Sequence, residues 1–364
     1  MTKEALIHDL NKTIRSALSN YYLPGLAIGY KQEGQESVIM AEGYSSFPMK
    51  TPLTKDSIFH MASISKLFTA CGIMILFSEK DISQDTCVVE LLPDFKMLRS
   101  KNLSCDYPHI TVRKILSHTS GLPDVTDYRW DLKNISESAL EDYCESDDVS
   151  KRTLLWSCDE NKFSYSNIGY ELLGLIIQKV SNLSFEDYMD SIFFKPLNMR
   201  DSTFKTYERT KNSSLSIEDL LSAKVAAPHG KDHNNNIIYE KHFPYNRGHG
   251  PSSTLTSTLS DILIWSQSLL KKDPIFQRVY SFSPFLPVAD VSNSDEKIGL
   301  SFFIWKDKGK TYIGHEGSDD GFRSSLWMCP DTKISVIVCS NLTKAPVKKI
   351  NREIFTIIHN HLTP

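Results

Sequence analysis

Ser63 and Lys66 stand three residues apart at the head of the run SIFHMASISKLFTACGIMILFS, residues 57–78. From Ile64 to Phe77 the run is apolar or small, and Lys66 is its only charged residue. Apolar side chains fall on every side of a helical wheel, which is the pattern of a helix buried all round. Residues i and i+3 share a helical face, so the serine hydroxyl and the lysine amine are neighbours. Burial favours the uncharged amine, making it a candidate base for that hydroxyl. A helix N-terminus adds backbone N–H groups that favour developing negative charge. The chemistry such a pair supports is attack by serine on a carbonyl carbon.

Spacing alone does not carry that conclusion. Ser-x-x-Lys occurs four times, at Ser63/Lys66, Ser202/Lys205, Ser268/Lys271 and Ser294/Lys297, and a serine before a helix is commonly just its N-cap. The other three pairs sit among polar residues; only the first has an apolar setting. Tyr165-Ser166-Asn167 precedes an amphipathic helix and, by itself, reads equally as a capping turn with a packed tyrosine. His118, at the end of a short helix in ITVRKILSHTSGLPD, meets the negative end of a helix dipole and needs no further role. His229, His233, His242 and His249 lack the i,i+4 spacing of a helical metal pair. No metal or cofactor is expected.

The elements that must position these residues follow from hydrophobic periodicity. Leu6, Leu10, Ile14 and Leu18 form one row of an amphipathic first helix. LAIGYK and SVIMAEG read as a hairpin of strands joined by the polar QEGQE turn. The Ser63 helix ends near Glu79-Lys80-Asp81, and residues 82–110 are irregular. Residues 131–160 are acidic and read as a surface helix. Helices are expected in NIGYELLGLIIQKVSN, in FEDYMDSIFFKPLNM up to Pro196, and in STLSDILIWSQSLL with Thr258 or Ser260 as cap. From Ile298 the pattern becomes an antiparallel meander, IGLSFFIW, TYIG, SSLWMC and ISVIVCS, followed by a closing helix with Val347, Ile350, Ile354 and Ile357/Ile358 on one face. The expected fold is α/β (α+β): an antiparallel sheet built from the N- and C-terminal segments, residues 1–60 and 290–364, flanked by helices. A mostly helical domain, residues 61–289, is inserted, with the site in the cleft between.

Composition bounds the rest. The 364 residues, 40% hydrophobic and 23% charged, describe an ordinary globular protein. A net charge of −3 with no Lys/Arg stripe gives no footprint for nucleic acid. No apolar run approaches the ~18 residues of a membrane span, and the N-terminus lacks the apolar core of a secretory signal. A cytoplasmic location is therefore expected, with export by a leaderless route left open. The seven cysteines are odd in number, scattered and without a C-x-x-C pair, so a disulfide framework is not expected. Cys71 and Cys339 read as core thiols in a reducing compartment.

Taken together in order, SISK (Ser63 to Lys66), YSN (Tyr165 to Asn167) and HEG (His315 to Gly317) resemble the motifs of the serine β-lactamase and penicillin-binding-protein-like family, in particular its class C branch. PGLAIGY, ILSHTSGLPD, FFKPLNMRDSTF and GHEGSDDGF agree, so the resemblance spans about residues 20–345. Ser-x-x-Lys is also a known catalytic signature of related enzymes. The resemblance implies an acyl-enzyme, with Ser63 as nucleophile and Lys66 helping to take its proton. It makes Tyr165 the base in acylation and the acid toward the leaving group, and has Asn167 orient substrate and Lys66. His315 and Gly317 would line the substrate site, and the backbone N–H groups of Ser63 and Ser318 would form the oxyanion hole. A buried Lys beside a Tyr should titrate as a coupled pair.

The chain departs from that pattern at one place. β-Lactamases and transpeptidases of the family carry Lys-Thr-Gly or a close variant where HEG stands here. A histidine is mostly neutral at pH 7, and Glu316, Asp319 and Asp320 would discourage an anionic substrate. Neighbouring strand residues face opposite sides, so only one of His315 and Glu316 is expected to face the cleft, namely His315. Family members with histidine here act as esterases or D-amino-acid-releasing peptidases. The expected activity is thus a serine hydrolase on esters, small amides or D-amino-acid peptides, with a small-molecule or short-peptide substrate. A true β-lactamase or D,D-carboxypeptidase is the alternative within the family. A catalytically silent binding or assembly protein is the alternative of another class. Oligomeric state is not legible.

Overall fold

The structure, a computed structural model, describes residues 3–362. Among these residues the largest sheet has nine strands: β1 (Gly25–Gln32), β2 (Val38–Ser46), β3 (Thr51–Pro52), β4 (Ala289–Asp290), β5 (Lys297–Ile298), β6 (Phe303–Asp307), β7 (Lys310–Asp319), β8 (Phe322–Cys329) and β9 (Ile334–Ser340). Their spatial order is β3-β2-β1-β9-β8-β7-β6-β5-β4, antiparallel throughout. The two ends of the chain meet at β1 and β9, in register from Leu26 opposite Ser340 to Gln32 opposite Ile334. The fold is thus of the expected kind, a sheet built from both ends of the chain.

The period of two along these strands decides which helix packs where. Leu26, Ile28 and Tyr30 of β1, with Ile334, Val336 and Val338 of β9, point to one face. There they bury Leu6, Leu10 and Ile14 of helix α1 (Lys3–Tyr21), and Ile350, Ile354 and Ile358 of the last helix, Val347–Leu362. Ala27, Ile337 and Cys339 point to the other face, where Leu259 and Leu263 of the helix Leu259–Lys271 pack beside Gly29. Because both faces are covered, ISVIVCS is buried at every position. Each fully buried aliphatic side chain contributes about 1.5–3 kcal/mol.

Helix α2 (Ser65–Lys80) is buried at every position from Ser65 to Phe77. Its Phe68 ring stacks on Trp265 at 4.5 Å, and helix α3 (Asn167–Ser181) lies alongside it. The stretch Ala62–Lys80 is in fact long and apolar enough to cross a membrane, contrary to expectation. Its apolarity serves the protein's own core, because neighbouring elements enclose it from Ser65 to Phe77. Helix α4 (Leu259–Lys271) is capped by Thr258, and α5 (Val347–Leu362) is the last helix.

Three local expectations need correction. IGLSFFIW is not one strand: it breaks between Ile298 and Phe303, where Ser301 has φ +74°. The acidic stretch 131–160 holds two short helices, Ala139–Glu145 and Asp147–Ser150, rather than one. Cys71 and Cys339 are buried free thiols, but Cys105 and Cys158 form a disulfide, Cα atoms 5.3 Å apart. Each of the pair is the centre of a Ser-Cys-Asp triplet, but two cysteines 53 residues apart have no spacing that announces a pair. The bond clips the irregular segment before residue 110 to the loop that leads into Tyr165.

Candidate active site

Ser63 sits in a 3-10 turn, Ala62–Ile64, that runs into α2, so α-helix begins only at Ser65. Ser63 and Lys66 stand on either side of that junction and still share a face, Lys66 Nζ lying 3.0 Å from Ser63 Oγ. The entry is strained, with Ala62 at φ +48°, a conformation costing a residue with a Cβ roughly 1–2 kcal/mol. Neighbours hold it in place: the Met61 carbonyl accepts from Ser324 Oγ at 2.7 Å, and the Met61 N–H donates to the Leu255 carbonyl at 2.8 Å. Gly317 on β7 makes this contact possible. A Cβ there would collide with the Met61 carbonyl and Ser324 Oγ, so the glycine of HEG lets the strand reach the nucleophile turn.

Lys66 has no exposed surface. Its Nζ donates to Ser63 Oγ at 3.0 Å, to Asn167 Oδ1 at 2.6 Å and to the Ser252 carbonyl at 2.8 Å. Burial pulls its pKa down to about 8, while Glu171, Asp124 and Asp319 resist the fall. About a tenth of the amine is therefore neutral at pH 7, a smaller fraction than burial alone suggests. The Ser252 carbonyl owes its place to a close approach: Pro251 lies against α3 at Gly174, where a Cβ would collide with the proline ring.

Asn167 opens α3, and its orientation is set by Asp124. The Asp124 Oδ1 accepts from both the Asn167 backbone N–H and Nδ2, each at 2.8 Å, which turns the amide oxygen toward Lys66. Ser166 is the N-cap, accepting from the Gly169 N–H at 3.2 Å and donating to the Pro123 carbonyl. YSN is thus a capping turn and part of the site at once. The Tyr165 ring lies 4.9 Å from Lys66 Nζ. Burial raises the phenol well above 10, and its hydrogen bond with Ser63 only moderates that.

His118 is not a charged residue at a helix end, as the dipole reading had it. It lies one residue beyond the C-cap, has φ +54° and stacks on Tyr165 at 4.3 Å. Its Nδ1 accepts the Ser166 N–H at 3.1 Å, and burial beside Lys66 holds it well below its ordinary pKa. A neutral ring fixes the tyrosine from behind.

On β7, His315 is buried, its ring 6.0 Å from Tyr165. Its Nδ1 lies 2.6 Å from the Glu316 carbonyl; a carbonyl only accepts, so Nδ1 carries the proton and Nε2 is left as acceptor. Burial and Lys66 bring its pKa down to about 3, so this residue is uncharged at any working pH. The Asp320-Gly321 turn makes Asp319 and Phe322 the first pair of the β7–β8 ladder. Alternation then turns the Ser318 N–H away from β8, on an edge that β6 leaves uncovered beyond Gly314.

These residues converge on a cleft of about 390 Å³, lined by Ser63, Tyr128, Tyr165, Asn167, Glu296, Phe303, His315, Glu316, Ser318 and Lys348. Glu316 borders it as well as His315, against the expectation that only one would. The reason is the same uncovered edge of β7, which opens both faces of the strand to the cleft. Asp319 is turned away, accepting from His60 Nε2 at 2.7 Å and from Ser253.

The family model described as Beta-lactamase matches residues 10–357. The chain belongs to the β-lactamase family. Protein flp of Staphylococcus aureus (strain N315) is 25% identical over 359 residues, covering 97% of this chain and 66% of flp; this chain spans just under two thirds of that relative's length. Among solved structures, an octameric penicillin-binding protein homologue from Pyrococcus abyssi superposes with TM-score 0.83 at 24% identity, over 97% of this chain and 77% of that one. The D-amino acid amidase of Ochrobactrum anthropi SV3 superposes with TM-score 0.77 at 22% identity, over 98% and 100%.

Within this β-lactamase-family cleft, Ser63, Lys66, Tyr165, Asn167, His315 and Ser318 come together, while Gly317 serves the packing behind them. Sequence reasoning missed Asp124, although it lies in the ILSHTSGLPD stretch, and it missed the support beneath Lys66. There Glu171, one turn beyond Asn167 and fully buried, accepts from Ser252 Oγ at 2.5 Å and His249 Nδ1 at 3.1 Å. A glutamate on the apolar side of an otherwise amphipathic helix was the available signal for Glu171.

Proposed function

We propose that this β-lactamase-family protein is a serine hydrolase that acts through an acyl-enzyme on esters and small amides, amides of D-amino acids among them. The observation that carries this reading is the Lys66 amine, 3.0 Å from Ser63 Oγ and with a pKa brought to about 8. In its neutral form the amine accepts the Ser63 proton, directly or through the Tyr165 hydroxyl, as Oγ bonds to the carbonyl carbon. The Ser63 and Ser318 N–H groups receive the oxyanion, a donor of this kind being worth roughly 2.7–4 kcal/mol. Tyr165, a protonated phenol at rest, gives its proton to the departing oxygen or nitrogen and recovers one from Lys66. Water then attacks the acyl-enzyme by the same route in reverse.

The preference for esters and amides over β-lactams rests on His315. A neutral ring occupies the place where the resemblance to β-lactamases calls for lysine, so that position supplies no cation to hold a substrate carboxylate. The fold it shares with a D-amino acid amidase agrees with amide substrates. A fluorophosphonate probe tests the nucleophile: wild type should label and Ser63→Ala should not, and equal labelling of both excludes Ser63. Turnover of p-nitrophenyl esters and D-amino-acid amides should exceed that of a chromogenic cephalosporin; fast cephalosporin hydrolysis would overturn the substrate assignment.

A further inference from the structure

The cleft wall opposite Lys66 carries charge that the hydrolytic chemistry does not use. Glu296, Glu316 and Lys348 line it. Glu296 is already neutralised: its Oε1 lies 2.7 Å from Lys348 Nζ and 2.9 Å from Arg352, and Asp295 shares that arginine at 3.7 Å. Glu316 differs. Among the described residues it forms no ion pair, and its Oε1 takes two neutral donors, Trp327 Nε1 at 2.6 Å and Ser325 Oγ at 3.0 Å. Those bonds fix the carboxyl group through Oε1, and the residue borders the cleft. Lys348 and Arg352 are thus engaged by Glu296 and Asp295, and Glu316 is the cleft carboxyl with no ion pair of its own among the described residues.

Position along the strand says where in a substrate that charge would act. Glu316 is two residues from Ser318, whose N–H marks the carbonyl oxygen of the scissile bond, so the backbones are about 6.6 Å apart. The Glu316 carboxyl leans across β8, over Ser325 and toward Trp327, which lies opposite Gly314. Because Glu316 and Ser318 line one cleft, a cationic nitrogen a few bonds from the scissile carbonyl, on the Gly314 side of the strand, meets that carboxyl, whereas a carboxylate there would meet repulsion. A charge-assisted contact in a partly desolvated cleft is stronger than one between neutral groups.

We propose that Glu316 is a specificity-determining residue that selects substrates carrying an ammonium or quaternary nitrogen close to the scissile ester or amide. The proposal rests on the hydrolase reading above and adds the substrate's charge to it. Burial raises the Glu316 carboxyl to about 7, so near neutral pH it is only partly ionised and a bound cation would favour its charged form.

The test uses two isosteric pairs that differ only in a quaternary nitrogen against a quaternary carbon. Acetylthiocholine and 3,3-dimethylbutyl thioacetate place the centre in the leaving half; the phenyl thioesters of betaine and of 3,3-dimethylbutanoic acid place it in the acyl half. The cation-to-neutral ratio of kcat/KM is measured for wild type and Glu316→Gln, and dividing the two ratios cancels intrinsic reactivity. A quotient of about 10 or more in either pair is expected. Quotients within about twofold of one in both pairs, with Ser63-dependent turnover of the neutral thioesters intact, overturn the role of Glu316 and leave the hydrolase reading standing. Absence of Ser63-dependent turnover of all four overturns both. Should Glu316→Gln fail to fold, wild type alone decides. Propyltrimethylammonium chloride should inhibit neutral thioester hydrolysis competitively where sodium chloride at equal ionic strength does not, and equal effects of the two salts overturn the proposal.

Discussion

Asp124 grips Asn167 twice through one oxygen, with the backbone N–H and the side-chain Nδ2 both 2.8 Å from Oδ1. An amide held this way cannot rotate, so its Oδ1 stays on Lys66 at 2.6 Å. That bond helps set where the amine points, and the amine in turn meets Ser63.

Replacing Asp124 should therefore damage catalysis without touching the reacting atoms. Asp124→Ala frees the Asn167 amide to flip, and misplacement of about 1 Å near the chemistry can cost about 100-fold in rate. The expected result is a loss of kcat of about that size with KM changed much less, measured on a p-nitrophenyl ester. A rise in KM at unchanged kcat would place Asp124 in substrate binding instead.

The pH profile reports the amine. Lys66 serves as base only after losing its proton, so activity must rise with pH and level off above the pKa, about 8. The measurement is kcat/KM for a neutral ester from pH 5 to 10. His315, with a pKa of about 3, should leave no inflection near 6.5. Lys66→Arg should abolish the rise, because guanidinium does not deprotonate in this range.

What could be read beforehand, and what could not, follows from the kind of signal each residue leaves. Ser63, Lys66 and Tyr165 lie in local patterns: a lone charge in an apolar run, and a polar triplet ahead of an amphipathic helix. The sheet was legible for the same reason, since a period of two shows along β1 and β9. The partners of Lys66 were not. Its third acceptor is the backbone carbonyl of Ser252, 186 residues away, and a carbonyl is present whatever the side chain. The pairing of Cys105 with Cys158 was equally silent, because the two lie 53 residues apart in separate polar segments. His118 leaves a misleading local signal, since its neighbours in sequence are helical, whereas its neighbour in space is the Tyr165 ring.

Gly317 gives a packing prediction. A methyl group there meets the Met61 carbonyl and Ser324 Oγ, and overpacking of this kind costs about 1–3 kcal/mol. Gly317→Ala should lower Tm and also lower kcat, since relief requires moving the turn that carries Ser63. A drop in Tm with full activity would show that the turn and β7 can separate without consequence.

The disulfide gives a stability prediction. It closes a loop of 53 residues, for which constraint of the unfolded chain contributes about 2–4 kcal/mol. Thermal unfolding with and without reductant, and of a Cys105→Ser/Cys158→Ser variant, should show a lower Tm for the reduced and substituted proteins. Identical melting would mean that the bond adds nothing to the fold.

His315→Lys tests the residue that departs most from the resemblance. The imidazole now in that place is neutral and 6.0 Å from the Tyr165 ring. An ammonium there supplies the missing fixed charge, so carboxylate-bearing substrates should gain in kcat/KM relative to neutral esters. The same charge also repels the protonated form of Lys66 and favours the neutral amine. The midpoint of the pH profile should accordingly fall below about 8, so that activity toward a neutral ester at pH 7 depends less steeply on pH. The two readouts separate the explanations. A shifted midpoint without a gain for carboxylates means that the new charge reaches Lys66 and not the substrate, and no change in either means that residue 315 does not face the reacting groups.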